Sequence, residues 1–196
     1  MESLLIVARV INMLFNSSYG NNVLFQGEMV RCLYEETETQ NKLEIYYQNE
    51  KDFNTLIEAL EDVSNELLNS VNKIILYSNE KESNVAGITQ NRTIRLYEFS
   101  KYSNSTRKRI LYHELAHILG NELLENKIID YDYTEYKKMV EKDGNYIDEY
   151  SKKYILEKNR YSEDFAESVA MYLINKESFE EKHKNRSEYI EKVLKI

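Results

Sequence analysis

His113, Glu114 and His117 stand in the order H-E-x-x-H. A helix uses this spacing to present two imidazoles to a zinc ion and a carboxylate to the water beside it. Residues four apart share one face of an α-helix, so His113 and His117 can reach one metal together. Glu114 projects about 100° round the helix from His113, which turns its carboxylate toward the open side of the metal. A zinc ion held this way needs a third protein ligand, with a water in the fourth place if the site is to hydrolyse anything. The competing reading is a chance pentapeptide on a core helix, each imidazole satisfied by a backbone carbonyl. Against it, the chain has only three histidines, and two of them fall in this frame.

The surrounding residues supply a helix for the pair. Ser103, Asn104 and Ser105 offer N-terminal caps, residues 107–119 read as helix, and Gly120 stands where a helix stops. Ile110, Leu111, Ala116, Ile118 and Leu119 place apolar side chains around the histidines, which predicts a buried element.

A candidate third ligand lies downstream in Tyr161-Ser162-Glu163-Asp164-Phe165-Ala166-Glu167-Ser168. Glu163 and Glu167 are four apart and face the same way, on a helix whose other side carries Phe165, Val169 and Leu173. Like charges at this spacing repel on a free helix, so something positive is expected opposite them. A zinc ion with its histidines is such a partner. Glu163 would bind the metal, and Glu167 would accept a ligand histidine's ring N–H and hold its tautomer. The alternative is a solvated acidic face, common in a chain with 31% charged residues.

With Glu163-Asp164-Phe165-Ala166-Glu167 following His113-Glu114-x-x-His117, the chain resembles the gluzincin metallopeptidases, most of all the anthrax lethal factor catalytic domain and the Pro-Pro endopeptidases. The resemblance covers roughly residues 70 to 175, and the interval from His117 to Glu163 is similar to that family's. It implies an α+β, zincin-like fold, in which a small mixed sheet with an edge strand lies over the His-bearing helix and a helical C-terminal lobe follows. It also implies one zinc ion per chain, held by His113, His117 and Glu163, with Glu167 in support. The family places a tyrosine one to two helical turns before the ligand glutamate, where its hydroxyl assists the tetrahedral intermediate. This chain has Leu156 at the position that spacing points to. Tyr154 is then the first candidate, with Tyr150 and Tyr161 as alternatives. Because the chain contains 17 tyrosines, one near any site is weak evidence by itself.

The expected chemistry is peptide-bond hydrolysis by a zinc-dependent endopeptidase. Zinc lowers the pKa of water and polarises the scissile carbonyl, while Glu114 accepts the proton and returns it to the leaving amine. An extended peptide or protein substrate would pair with an edge strand at Thr93, Ile94, Arg95, Leu96 and Tyr97 by β-augmentation. Two alternatives stand beside this reading. One is an intracellular regulatory peptidase that clips a single partner protein. The other is a catalytically silent zinc-binding interaction module, against which the intact Glu114 speaks.

The 196 residues suit one catalytic domain or two small lobes around a cleft. The lobes would be residues 1–100, α/β with the substrate strand, and residues 101–196, helical with the zinc site. A net charge of −8 argues against a nucleic-acid partner, since no basic stripe can neutralise phosphates. The densest basic run, Arg107-Lys108-Arg109, is expected to solvate the start of the histidine helix. Cys32 is alone, so no intrachain disulfide forms. No stretch approaches the ~20 apolar residues of a membrane span, and a monomer is expected. Glu2 and Arg9 make the N-terminus a poor export signal. The protein would be cytoplasmic, or secreted if a signal peptide has been removed. Leu4, Ala8, Ile11, Leu14 and Phe15 fit one face of an amphipathic helix.

Alternation predicts strands at Leu43–Tyr47 and Thr93–Tyr97 and a short apolar run predicts one at Lys73–Tyr77, with a helix over residues 53–68 and a polar turn over 79–84. Helices are predicted over 107–119, 132–142, 147–157, 162–175 and 177–194.

Overall fold

Ile74, Leu76, Ile94 and Leu96 have no solvent exposure. They alternate along two short strands and draw the first half of the chain into a sheet. The computed structural model describes residues 7–8, 30–34, 43–79, 85–158 and 160–194. The chain is α+β and mostly helical, in two compact units that meet in sequence between Ser103 and Asn104.

The first unit carries the sheet. Its strands among the described residues are β1 (Val7–Ala8), β2 (Val30–Tyr34), β3 (Leu43–Tyr47), β4 (Lys73–Tyr77), β5 (Gly87–Gln90) and β6 (Thr93–Tyr97), in the order β1-β2-β3-β4-β6-β5. β3, β4 and β6 run parallel, while β2 and β5 flank them antiparallel. The crossover from β3 to β4 contains α1 (Glu50–Leu60) and α2 (Asn65–Asn69). These take the place of the single helix predicted over 53–68. α1 starts early because the Asn49 side chain accepts the Asp52 N–H at 2.8 Å. Asp52 is itself buried, and its Oδ1 accepts the Ser100 N–H at 2.8 Å, tying α1 to the 3-10 turn Phe99–Lys101.

One expectation is corrected here. Thr93–Tyr97 is not an edge strand, because β6 bonds to β4 on one side and β5 on the other. Its backbone groups are engaged by both neighbours, so no peptide can extend the sheet along it. The outer position belongs to β5, which joins β6 through Asn91 and Arg92, with Asn91 in the left-handed region at φ 55°. Of the N-terminal helix, Ala8 lies instead in β1, opposite Cys32 in β2. Leu4, Ile11, Leu14 and Phe15 lie outside the described residues, as does most of the 79–84 turn.

The second unit is built from α3 (Asn104–Glu125), α4 (Thr134–Asp143), α5 (Glu149–Lys158), α6 (Ser162–Ile174), α7 (Lys176–Lys182) and α8 (Lys184–Leu194). α3 does not stop at Gly120. A Cβ there would meet the Tyr133 hydroxyl at 3.0 Å and the Phe165 ring at 3.6 Å, so the glycine serves close packing rather than termination. The helix ends instead at a Schellman turn. Lys127 takes φ 56°, its N–H bonds to the Leu124 carbonyl at 3.0 Å, and the Ile128 N–H bonds to the Leu123 carbonyl at 2.8 Å. Phe165, Ala166, Val169 and Ala170 are wholly buried and give α6 the apolar face with which it packs on α3. The helix predicted over 177–194 is broken at His183, whose backbone is not helical. Among the described residues no helix is long and apolar enough to cross a membrane.

Candidate metal centre

α3 and α6 bring the two sequence motifs together. His113 and His117, one helical turn apart, turn their Nε2 atoms toward each other at 3.1 Å with rings nearly perpendicular. Glu163 Oε2, at the start of α6, lies 3.5 Å from each of these nitrogens. Two imidazole nitrogens and one carboxylate oxygen within this triangle could hold a metal ion. The side chains are 17%, 22% and 18% exposed, so the cluster is sheltered yet reachable by a further ligand.

Glu167 lies one turn further along α6. Its Oε2 lies 3.0 Å from His113 Nδ1, so the two glutamates grip the two nitrogens of one ring. Glu167 Oε1 accepts a hydrogen bond from Arg109 Nε, and Arg109 Nη2 donates to Asp148 Oδ2 at 2.8 Å. Arg109 therefore does more than solvate the start of α3, the role expected of the basic run. Neither partner of this arginine is close in sequence, and only the i, i+4 relation of Arg109 to His113 hinted at a shared face.

The electrostatics follow from this geometry. Burial pushes the His113 imidazole pKa down, but hydrogen bonds to Glu163 and Glu167 and the charge of Glu114 more than reverse this, raising it to about 10. Burial pushes Glu163 up, and the two histidines pull it down to about 2. With no metal bound, the shifts pair an imidazolium at His113 with an ionised Glu163, and a divalent cation would take over the role of that proton. Glu114 is buried, at 6% exposure, on the same helix.

The tyrosines separate in position. Tyr150 and Tyr154 lie on α5 with ring centroids 5.0 Å apart. Tyr150 is 54% exposed, and partial burial of its hydroxyl, the hydrogen bond with Tyr154 and the charges of Glu163 and Glu114 hold its pKa above the ordinary value. Lys158 stands over the Tyr154 ring at 4.7 Å. Tyr161 is buried, with Lys137 over its ring at 5.6 Å, and its charged neighbours are Glu141 and Asp164. Thr93, Ile94, Arg95, Leu96 and Tyr97 lie in β6 of the first unit.

Beneath the cluster, a polar network fixes the backbone of α6. Asp164, between the two glutamates, points inward with no exposure and accepts from Arg186 Nη1 at 3.1 Å and from the Tyr136 hydroxyl at 2.7 Å. Arg186, also fully buried, reaches Asp143 at 2.9 Å and the Asn145 carbonyl at 2.9 Å. No protein-family model, curated protein or solved structure matches the chain.

Proposed function

We propose that the protein is a zinc-dependent endopeptidase with a zincin-like catalytic unit, in which His113, His117 and Glu163 hold the metal. The observation that carries this reading is the triangle of donor atoms, with sides of 3.1, 3.5 and 3.5 Å. Tetrahedral nitrogen and oxygen ligands about 2.0–2.1 Å from a zinc ion stand about 3.3–3.4 Å apart, so this triangle matches three corners of such a site. Bound there, zinc would supply Lewis acidity and make water a usable nucleophile near neutral pH.

The chain's own groups divide the remaining work. Glu167 accepts the His113 Nδ1–H, which leaves Nε2 free to face the metal. Glu114, buried beside the ligands, has the carboxylate to take a proton from water and deliver it to the departing amine of a peptide. A tyrosine hydroxyl on α5, from Tyr154 or Tyr150, would donate to the carbonyl oxygen as negative charge develops on it. An extended peptide is the substrate class this chemistry implies.

The test is cleavage of a peptide library by the zinc-loaded protein and by Glu114→Gln. The wild type is expected to cut, and the variant to lose on the order of 10²-fold or more in rate while keeping fold and metal. Equal cleavage by both proteins would remove Glu114 as the base and the mechanism with it.

A further inference from the structure

Arg109, His113 and His117 are spaced i, i+4, i+8 along α3 and so follow one face of the helix. Each carboxylate that meets Arg109 spends one oxygen on it and the other on an element that needs fixing. Glu167 gives Oε1 to Arg109 Nε and Oε2 to His113 Nδ1. Asp148 gives Oδ2 to Arg109 Nη2 at 2.8 Å and Oδ1 to the Ser151 N–H at 2.8 Å, capping the start of α5. Arg109 is 48% exposed while Glu167 is 8% exposed. An ion pair with so exposed an arginine adds little to stability. Its consequence is orientation, because a planar guanidinium offers two fixed donor directions where an ammonium offers a point charge.

We infer that Arg109 is a positioning residue, joining the carboxylate that orients His113 to the helix that carries Tyr150 and Tyr154. The inference rests on the zinc hydrolase reading above, and it adds a linkage that reading does not need. It requires that a single side chain set both the quality of the metal site and the order of α5.

The experiment uses the full chain with zinc alone as the metal probe. Zinc affinity is measured by chelator competition, the visible spectrum is taken of the cobalt(II)-substituted protein, and amide exchange is followed at residues 150–154. Arg109→Gln is expected to weaken zinc on the order of tenfold, within the ~10–100-fold range of outer-shell partners. It should also alter the cobalt spectrum and speed exchange at the start of α5. In a Glu167→Gln background the same substitution should add little further loss of zinc, because Arg109 acts through Glu167. Arg109→Lys should recover part of the zinc affinity while α5 exchange stays fast, and this variant carries the test if Arg109→Gln fails to fold. Wild-type affinity and spectrum in Arg109→Gln, or wild-type behaviour of Arg109→Lys in every readout, overturns the linkage. Full additivity with Glu167→Gln overturns it as well. A His113→Ala variant that keeps its zinc instead overturns the hydrolase reading, whatever Arg109 does.

Discussion

Glu163 and Glu167 are the same residue type one turn apart, yet His113 meets one through Nε2 and the other through Nδ1. That difference gives them different expected phenotypes. Glu167→Gln should weaken zinc binding or activity by ~10–100-fold without emptying the site. Chelator competition and steady-state kinetics check this, and a variant equal to wild type in both would reduce Glu167 to a surface ion pair. For the tyrosines, phenylalanine variants measured by kcat and KM decide the assignment. A full oxyanion donor should cost about 10²-fold in kcat with little change in KM. Tyr154→Phe is expected to show that loss if the α5 tyrosine nearer in sequence to Glu163 is the donor. The charges of Glu114 and Glu163 at the Tyr150 hydroxyl make Tyr150→Phe the informative rival, and Tyr161→Phe should be nearly silent. At this scale the grouping of His113, His117 and Glu163 was legible, because i, i+4 spacing is a local property that both the histidine pair and the glutamate pair obey. Arg109 was not, because its partners at positions 148 and 167 reach it only through tertiary packing.

At the scale of elements, alternation and one apolar run located three strands, and β3, β4 and β6 have the predicted bounds. It could not locate β5, where Gly87, Thr89 and Gln90 leave only Ile88 as an apolar signal, and so β6 was mistaken for an edge. Gly120 misled for a related reason: glycine marks helix ends and close approaches alike, and here the neighbour is Tyr133. The break at His183 was hidden in a continuous helical pattern, and it has a consequence in acid. His183 is buried, and its Nδ1 lies 2.6 Å from Arg186 Nη2, an arrangement that requires a neutral ring. Burial and the Arg186 charge hold its pKa down to about 4. Because the unfolded ring takes its proton nearer pH 6.5, folding loses stability as pH falls from about 6.5 and stops losing it below about 4. At ~1.4 kcal/mol per unit the loss is at most roughly 3.5 kcal/mol. His183→Gln should flatten that part of the pH–stability curve measured by chemical denaturation. An unchanged slope between pH 6.5 and 4 would assign the acid sensitivity to other groups.

For the whole molecule, the proposed metal site would set metal and proton in competition for one place. His113 is held up to about 10 in the metal-free protein, so its favourable effect on folding is complete below the ordinary pKa of 6.5 and is lost as pH rises through about 10. On the proposed reading zinc would displace that proton, and its affinity should then rise with pH by up to about tenfold per unit per proton released. Calorimetry in buffers of different ionisation enthalpy would register the proton, and an affinity independent of pH between 6 and 8 would contradict the assigned geometry. A zinc concentration 100 times the Kd should also stabilise the fold by about 2.7 kcal/mol.

The most direct test of the account is the zinc content of the purified protein and four single variants, measured by elemental analysis after dialysis against trace zinc. The prediction is one zinc per chain in the wild type and in Glu114→Gln, and less than about a tenth of that in His113→Ala, His117→Ala and Glu163→Ala, each of which removes one of three protein ligands. Full zinc in Glu163→Ala, or loss of zinc in Glu114→Gln, would contradict the division of this site into three residues that hold the metal and one that moves the proton.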